Sequence, residues 1–256
     1  MCPSCRAFIT TDDKVCPYCN EKVGARAIDR RSPNPILGII PHAQFTTIVI
    51  LIINAGMFVA TMLNASLVGL GGSDRYDLIL MHQYWRLVTA GFLHGGLLHI
   101  GMNSWVLFDV GSQVEQVYGA SRMLVIFFVA TVLGFYASTL WQAGLSVGAS
   151  AGIMGLLGAM IALSMHHQSA VTISLRGQYI RWVIYMLLFG LLVPGIDNAA
   201  HVGGLAGGFG VAYLCGLPRW EGAWQERFWR IVSYVCIAIT AFCFFEMYRW
   251  ITANAQ

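Results

Sequence analysis

RMLVIFFVATVLGFYASTLWQ, residues 122–142, carries a single charge, Arg122 at its first position. A helix needs roughly 20 predominantly apolar residues to cross the hydrocarbon core of a bilayer, and this run supplies them. It is too long for an ordinary strand and lacks strict alternation. Unpaired strand edges would also leave backbone polar groups unsatisfied in lipid. Similar runs lie on either side, at about 45–64, 96–114, 149–166, 179–194, 199–216 and 229–251. The chain therefore reads as an all-α polytopic membrane protein, with the fourth and fifth runs short and their ends the least defined. No internal repeat is evident.

Composition agrees. Hydrophobic residues make up 57% of the 256 residues and charged residues 11%, whereas a soluble domain is nearer half and a quarter. A formal net charge of +3, with no long basic stretch, excludes a nucleic-acid partner. The lipid bilayer is the expected environment. With the first residues inside, only Arg75, Arg86 and Arg249 of the 15 Lys and Arg residues fall on the far side. Positive residues gather on the cytoplasmic face, so the N-terminus is expected there. Residues 1–30 show no basic segment leading into a short apolar core, and no cleavable signal peptide is read.

Residues 1–24 stand apart. Cys2-Pro3-Ser4-Cys5 and Cys16-Pro17-Tyr18-Cys19 form CxxC-x10-CxxC, using four of the seven cysteines. Two close thiolate pairs match tetrahedral zinc, a disulfide is disfavoured in a reducing compartment, and metal binding would be the main folding energy of so small a module. Structural zinc is the expected cofactor, with iron or a redox pair as alternatives. The module is either a knob that folds a tail or a surface for a cytoplasmic partner. Residues 25–44, with three prolines and three arginines, read as a linker, 45–216 as the main helical domain, and 217–256 as a cytoplasmic loop, a further helix and a tail. Cys215, Cys236 and Cys243 lie in apolar runs and read as packing residues.

Polar groups inside a membrane helix are costly and signal function by default. Three clusters qualify. In the first, His99 and Asn103 stand four residues apart and share a helical face, with His94 just upstream. Such residues also serve as glue between helices. In the second, Gly148-Ala149-Ser150-Ala151-Gly152 puts Ser150 at or near a helix N-terminus, where free N–H groups favour an anion. Its G-x-S-x-G pattern also occurs in soluble hydrolases, which need a strand before the serine. In the third, Gly204 and Gly208 after His201 form a G-x-x-x-G face that admits a close neighbour. Ala151, Gly155 and Ala159 form a matching small face. If the two faces meet, Ser150 and His201 come together at one depth, with His99 at the same level.

A serine hydroxyl attacks a carbonyl when a histidine takes its proton, and the resulting oxyanion needs preorganised donors. His99, Asn103 and the Ser150 backbone N–H supply three candidates. Asp197, four residues before His201, is a candidate third member, although a place in a solvent-exposed loop is the simpler reading. Hydrolysis needs water, so the site should open toward the outer, non-cytoplasmic face through a polar cavity.

Taken together these residues resemble the rhomboid family of intramembrane serine proteases. The resemblance rests on Trp85-Arg86, His94/His99/Asn103, Gly111-x3-Glu115-x3-Gly119, Gly148-Ala149-Ser150 and Ala200-His201-x2-Gly204-x3-Gly208, in order over residues 45–216. It implies a six-helix core plus one added C-terminal helix. It also implies a Ser150–His201 dyad without a required acid and with no catalytic cofactor, His99 and Asn103 at the oxyanion, and His94 in support. Arg86 and Glu115 would be structural, holding the first outer loop and a helix end. The implied substrates are single-span membrane proteins. Two positions depart from the family pattern: Ala151, where many members have glycine, and Met154, where an aromatic often stacks on the histidine. These predict altered rather than absent catalysis. The competing expectations are a rhomboid-like protein that binds membrane clients with weak or no proteolysis, and a transporter or channel. The latter would line a path through both leaflets with polar residues instead of gathering them at one depth.

Overall fold

The computed structural model describes Cys2, Cys5, Ile9 and residues 13–23, 44–141, 144–166, 170–219 and 223–253. The linker expected over 25–44 lies outside the described residues except for Gln44. Among the described residues ten α-helices follow in chain order, α1 (Phe45–Leu63), α2 (Ser66–Gly71), α3 (Arg75–Ile79), α4 (Arg86–Thr89), α5 (Leu97–Val106), α6 (Ser112–Trp141), α7 (Ser150–His166), α8 (Ala170–Leu192), α9 (Asn198–Cys215) and α10 (Trp224–Ala253). By length and composition Phe45–Leu63, Leu97–Trp141 and Trp224–Ala253 suffice to cross a membrane. Only 22% of the apolar window of α1 and 17% of that of α10 is buried inside the protein. A soluble monomer rarely exposes so much contiguous apolar surface; lipid must cover it. The protein is an integral membrane protein.

Several boundaries differ from the sequence reading. The stretch from Leu97 runs through a π-helical turn at Leu107–Gly111 and breaks only at Gly119, whose φ of 79° and ψ of 160° leave the helical region. Positive φ is readily available to glycine, so the two membrane passes divide there, between the runs expected at 96–114 and 122–142, with the first running on past residue 114. α8 begins at Ala170 instead of 179. Its polar start, with Arg176, suits a helix extending beyond the hydrocarbon. α10 begins at Trp224 instead of 229, for a tertiary reason. Glu226 in its first turn accepts two hydrogen bonds from Arg122, from Nη1 at 2.7 Å and Nη2 at 2.8 Å, and a third from the Arg219 backbone N–H at 2.8 Å. This joins the added helix to the start of the second pass of α6.

Both side chains of that pair are almost fully buried, at 3% and 7% exposure. Removing one partner of such a pair strands a buried charge, at a cost of about 3–5 kcal/mol. Arg122→Ala is therefore expected to lower Tm substantially in a detergent melt. The exposed pair Arg249–Glu246, 2.8 Å apart, should contribute under about 1 kcal/mol, so Arg249→Ala should leave Tm nearly unchanged. Equal Tm values for the two variants would refute this assignment.

The centre of the bundle is α7, packed mainly against α6 and α9, with α8 attached more sparsely along its flank. Small residues set the spacing. A Cβ on Gly204 would run into the backbone of Ala151, and one on Gly208 into Gly155. On the other side Gly134 of α6 fits against the Ala151 methyl and the Ala200 carbonyl.

The connection between α1 and α5 holds α2, α3 and α4, none of them anticipated from apolar periodicity. Arg86 organises it. Its guanidinium donates to the carbonyls of Gly69 and Gly72, both at 2.8 Å, and to Gln83 Oε1 at 2.6 Å, and pairs with Asp77 at 3.1 Å. Burial lowers its pKa from the ordinary arginine value against the opposing pull of Asp77 and Asp74. Glu115 plays a comparable part elsewhere. Its carboxylate accepts from the Thr46 and Thr47 N–H groups at 2.8 and 2.9 Å and from Thr47 Oγ1 at 2.9 Å. That caps α1, where free N–H groups and the helix dipole favour an anion.

In the N-terminal segment, Val15 and Lys22 form an antiparallel bridge that closes a short hairpin around Cys16–Cys19.

Candidate active site

The N-terminal ends of α5, α7 and α9 meet. Ser150 is the first residue of α7, and the loop before it is held in place by two tethers. Ser146 and Ser73 exchange backbone hydrogen bonds at 2.8 and 2.9 Å, and the Gly148 N–H donates to the Ala90 carbonyl at 2.9 Å. The connection organised by Arg86 thus braces the strand of chain entering Ser150. Gly148 takes φ of +128°, in the region that favours glycine. Having no Cβ, it lets two side chains of α5 approach the same backbone. A methyl there would lie 2.6 Å from His99 Nε2 and 3.7 Å from Asn103 Nδ2.

His201 stands in the first turn of α9, nearly buried, and its Nε2 lies 3.0 Å from Ser150 Oγ. That is hydrogen-bonding distance. Its Nδ1 has no hydrogen-bond partner among the described residues. Asp197 does not supply one. It is half-buried rather than solvent-exposed, and its carboxylate caps α9 by accepting from the Ala200 N–H at 2.9 Å and also accepts from the Ser138 hydroxyl. No hydrogen bond joins Asp197 to His201 Nδ1 among the described residues, so the structure does not show the third triad member.

His99 and Asn103 share one face of α5, as their spacing requires. Asn103 Nδ2 donates to the His99 carbonyl at 3.0 Å; an amide carries two N–H donors, and this bond engages one of them. His94 is buried, with its ring edge-on to that of His99 at 5.1 Å between centroids. Ser150 and His99 are only half-buried, so the cluster is reachable from outside the bundle. Met154, four residues after Ser150, is fully buried in the apolar core. Gly204 and Gly208 are the close-contact residues between α9 and α7.

Four positions that shape the site were not singled out from the sequence. Ala130, Gly134 and Ser138 form a small stripe on α6 at four-residue spacing, and Ser73 anchors the loop before Ser150. The stripe was legible by the same rule as Gly204 and Gly208; the Ser73–Ser146 pairing joins residues too distant in sequence to leave a local signal.

The Rhomboid domain model matches residues 81–218, which contain this whole cluster. The chain belongs to the rhomboid family. Rhomboid protease GluP of Bacillus subtilis (strain 168) is 36% identical over 168 residues, covering 66% of this chain and 33% of that protein. Rhomboid-like protease 3 of Toxoplasma gondii is 32% identical over 173 residues, covering 62% of this chain and 61% of its own length. Inactive RHOMBOID-like protein 8 of Arabidopsis thaliana is 31% identical over 137 residues, covering 53% and 39%. The chain thus spans less than two thirds of each of these rhomboid relatives, and it resembles members named as proteases as well as one named inactive.

Proposed function

We propose that the protein is an intramembrane serine endopeptidase that cleaves transmembrane segments of other membrane proteins, with Ser150 as nucleophile and His201 as base. The observation that carries this reading is the 3.0 Å contact between Ser150 Oγ and His201 Nε2 at the end of a membrane bundle. With the Nδ1–H tautomer, Nε2 accepts the hydroxyl proton as Oγ bonds to the scissile carbonyl carbon. Collapse of the tetrahedral intermediate breaks the C–N bond, and the imidazolium returns its proton to the departing amine. Water then attacks the acyl-serine and gives a proton to Nε2; collapse of this second intermediate breaks the C–Oγ bond, Nε2 returns the proton to Oγ, and the acid product leaves free Ser150. No cofactor enters these steps.

The oxyanion formed in each half is assigned to His99, Asn103 and the Ser150 N–H, with His94 backing His99. The first N–H groups of α7 have no intrahelical acceptor, and Gly148 leaves the α5 side chains within reach of the same point. Such donors act mainly in the transition state, and losing one costs roughly 2.7–4 kcal/mol. His99→Ala and Asn103→Ala should therefore each lower kcat by about 10²–10³-fold with little change in KM. A raised KM with unchanged kcat would reassign both residues to substrate binding.

The same reading puts the N-terminus on the cytoplasmic side and the active site toward the opposite face, following the distribution of Lys and Arg. The test is cleavage of a single-span membrane substrate by purified protein in liposomes, with product termini identified by mass spectrometry. Retention of the substrate without cleavage would favour the client-binding reading.

A further inference from the structure

Four thiols converge at the N-terminal end of the chain, in a part of the protein that the proteolytic reading does not use. The sulfurs of Cys2, Cys5, Cys16 and Cys19 all lie within 4.8 Å of one another. Cys2 and Cys19 approach to 3.5 Å, Cys5 and Cys16 to 3.6 Å. A disulfide needs about 2.05 Å, so these are not bonded pairs. Four sulfurs around a tetrahedral zinc at about 2.3 Å must stand about 3.8 Å apart. The observed pairs are within a few tenths of that spacing before any ion is considered.

The local backbone explains how the second pair is aimed. The Cys16 N–H donates to the Glu21 carbonyl at 2.7 Å, the Asn20 N–H to the Cys16 carbonyl at 3.0 Å, and the Val23 N–H to the Lys14 carbonyl at 2.9 Å. Asn20 takes φ of 56°, a left-handed conformation that asparagine tolerates better than most residues. The chain therefore turns back directly after Cys19, and Cys16 and Cys19 present their sulfurs to one point. Packing cannot account for this arrangement. Among the described residues the buried apolar cluster here consists of Cys2, Cys16 and Val23, with Ile9 against it. Two of its three buried members are themselves among the thiols, and so small a core does not fold a segment unaided. Among the described residues no other His, Cys, Asp or Glu group converges in this way.

We propose that Cys2, Cys5, Cys16 and Cys19 bind one zinc ion as a closed tetrathiolate site that folds this segment. Binding forms four Zn–S bonds and releases four thiol protons to solvent, with no change of oxidation state. The complex carries a formal charge of −2, and the exposed Lys14 and Lys22 flank it on the hairpin. Four protein ligands leave no open position, so the ion is structural and not a Lewis acid for the reaction. Soft thiolates suit zinc and iron alike; zinc is chosen because four thiolates closing a tetrahedral site are its usual structural ligand set.

The test is metal analysis of the full-length protein purified in detergent. One zinc per chain is expected, falling at least fivefold in Cys16→Ser and Cys19→Ser and unchanged in Cys215→Ser. A second measurement works on the unaltered chain. Alkylation under native conditions, counted by mass spectrometry, should rise by four thiols after treatment with a strong chelator. Iron in place of zinc, no bound metal, or four thiols equally reactive with and without chelator would each overturn the proposal. These readouts do not depend on proteolysis, so they stand whether or not the dyad proves active.

Discussion

Ser150→Ala and His201→Ala are each expected to lower cleavage of a transmembrane substrate by roughly 10⁴–10⁶-fold, the range seen when a serine-protease nucleophile or base is removed. The double variant should be little worse than either single one. Oγ and Nε2 share one proton across 3.0 Å, so neither does its work without the other, and groups acting as a unit lose activity non-additively. Both variants should remain folded. Ser150→Ala removes a half-buried hydroxyl, and His201→Ala removes a ring whose Nδ1 is already unpartnered among the described residues. The measurement is product formation over time for wild type, both singles and the double, with melting curves alongside. Full activity in Ser150→Ala would sink the mechanism, and additive losses would mean that His201 acts on something other than Ser150.

Among the described residues no acid hydrogen-bonds His201 Nδ1, and this has a physical consequence. In a triad, a buried carboxylate fixes the imidazole tautomer and steadies the imidazolium. Here Asp197 is engaged in capping α9 and in bonding Ser138. The ring is instead positioned by burial and by the close fit of α9 against α7. On the proposed mechanism, helix packing would take over a task that a charge performs in many soluble proteases.

That substitution also explains what could be read from the sequence. Long apolar runs and the spacing of His99, Asn103, Gly204 and Gly208 are local patterns, and they carried the all-α polytopic fold and the candidate cluster. Short helices α2, α3 and α4 were invisible because segments of four to six residues hold too little periodicity, and Arg86 organises them from a distance. The start of α10 was misread because Glu226 meets Arg122 across 104 positions of chain. Gly134 was overlooked for a different reason. It lies inside a long apolar run, where hydrophobic content masks the four-residue repeat of small side chains. Close approach of helices in a membrane depends on that repeat rather than on hydrophobicity.

Gly204→Ala is the second large effect. Gly204 follows His201 by three residues, close to one turn, and its α-carbon faces the backbone of Ala151, the residue after the nucleophile. A methyl there meets a backbone carbonyl with no rotamer to yield, so α9 must move away from α7. Misplacing catalytic groups by about 1 Å costs on the order of 10²-fold in rate, and a 3.0 Å hydrogen bond does not survive such a shift. Overpacking should also lower stability by about 1–3 kcal/mol, which alone does not change the rate per folded molecule. Gly208→Ala separates the two effects. Its methyl meets Gly155 just as tightly, but one turn, about 5.4 Å, further along the helix. It should destabilise to a similar degree and reduce kcat less. Gly210→Ala, with nothing within 4 Å of the added methyl, should be silent in both assays. Wild-type kcat in a folded Gly204→Ala variant would show that α7 and α9 can separate without parting Ser150 from His201, and that the small-residue face serves packing alone.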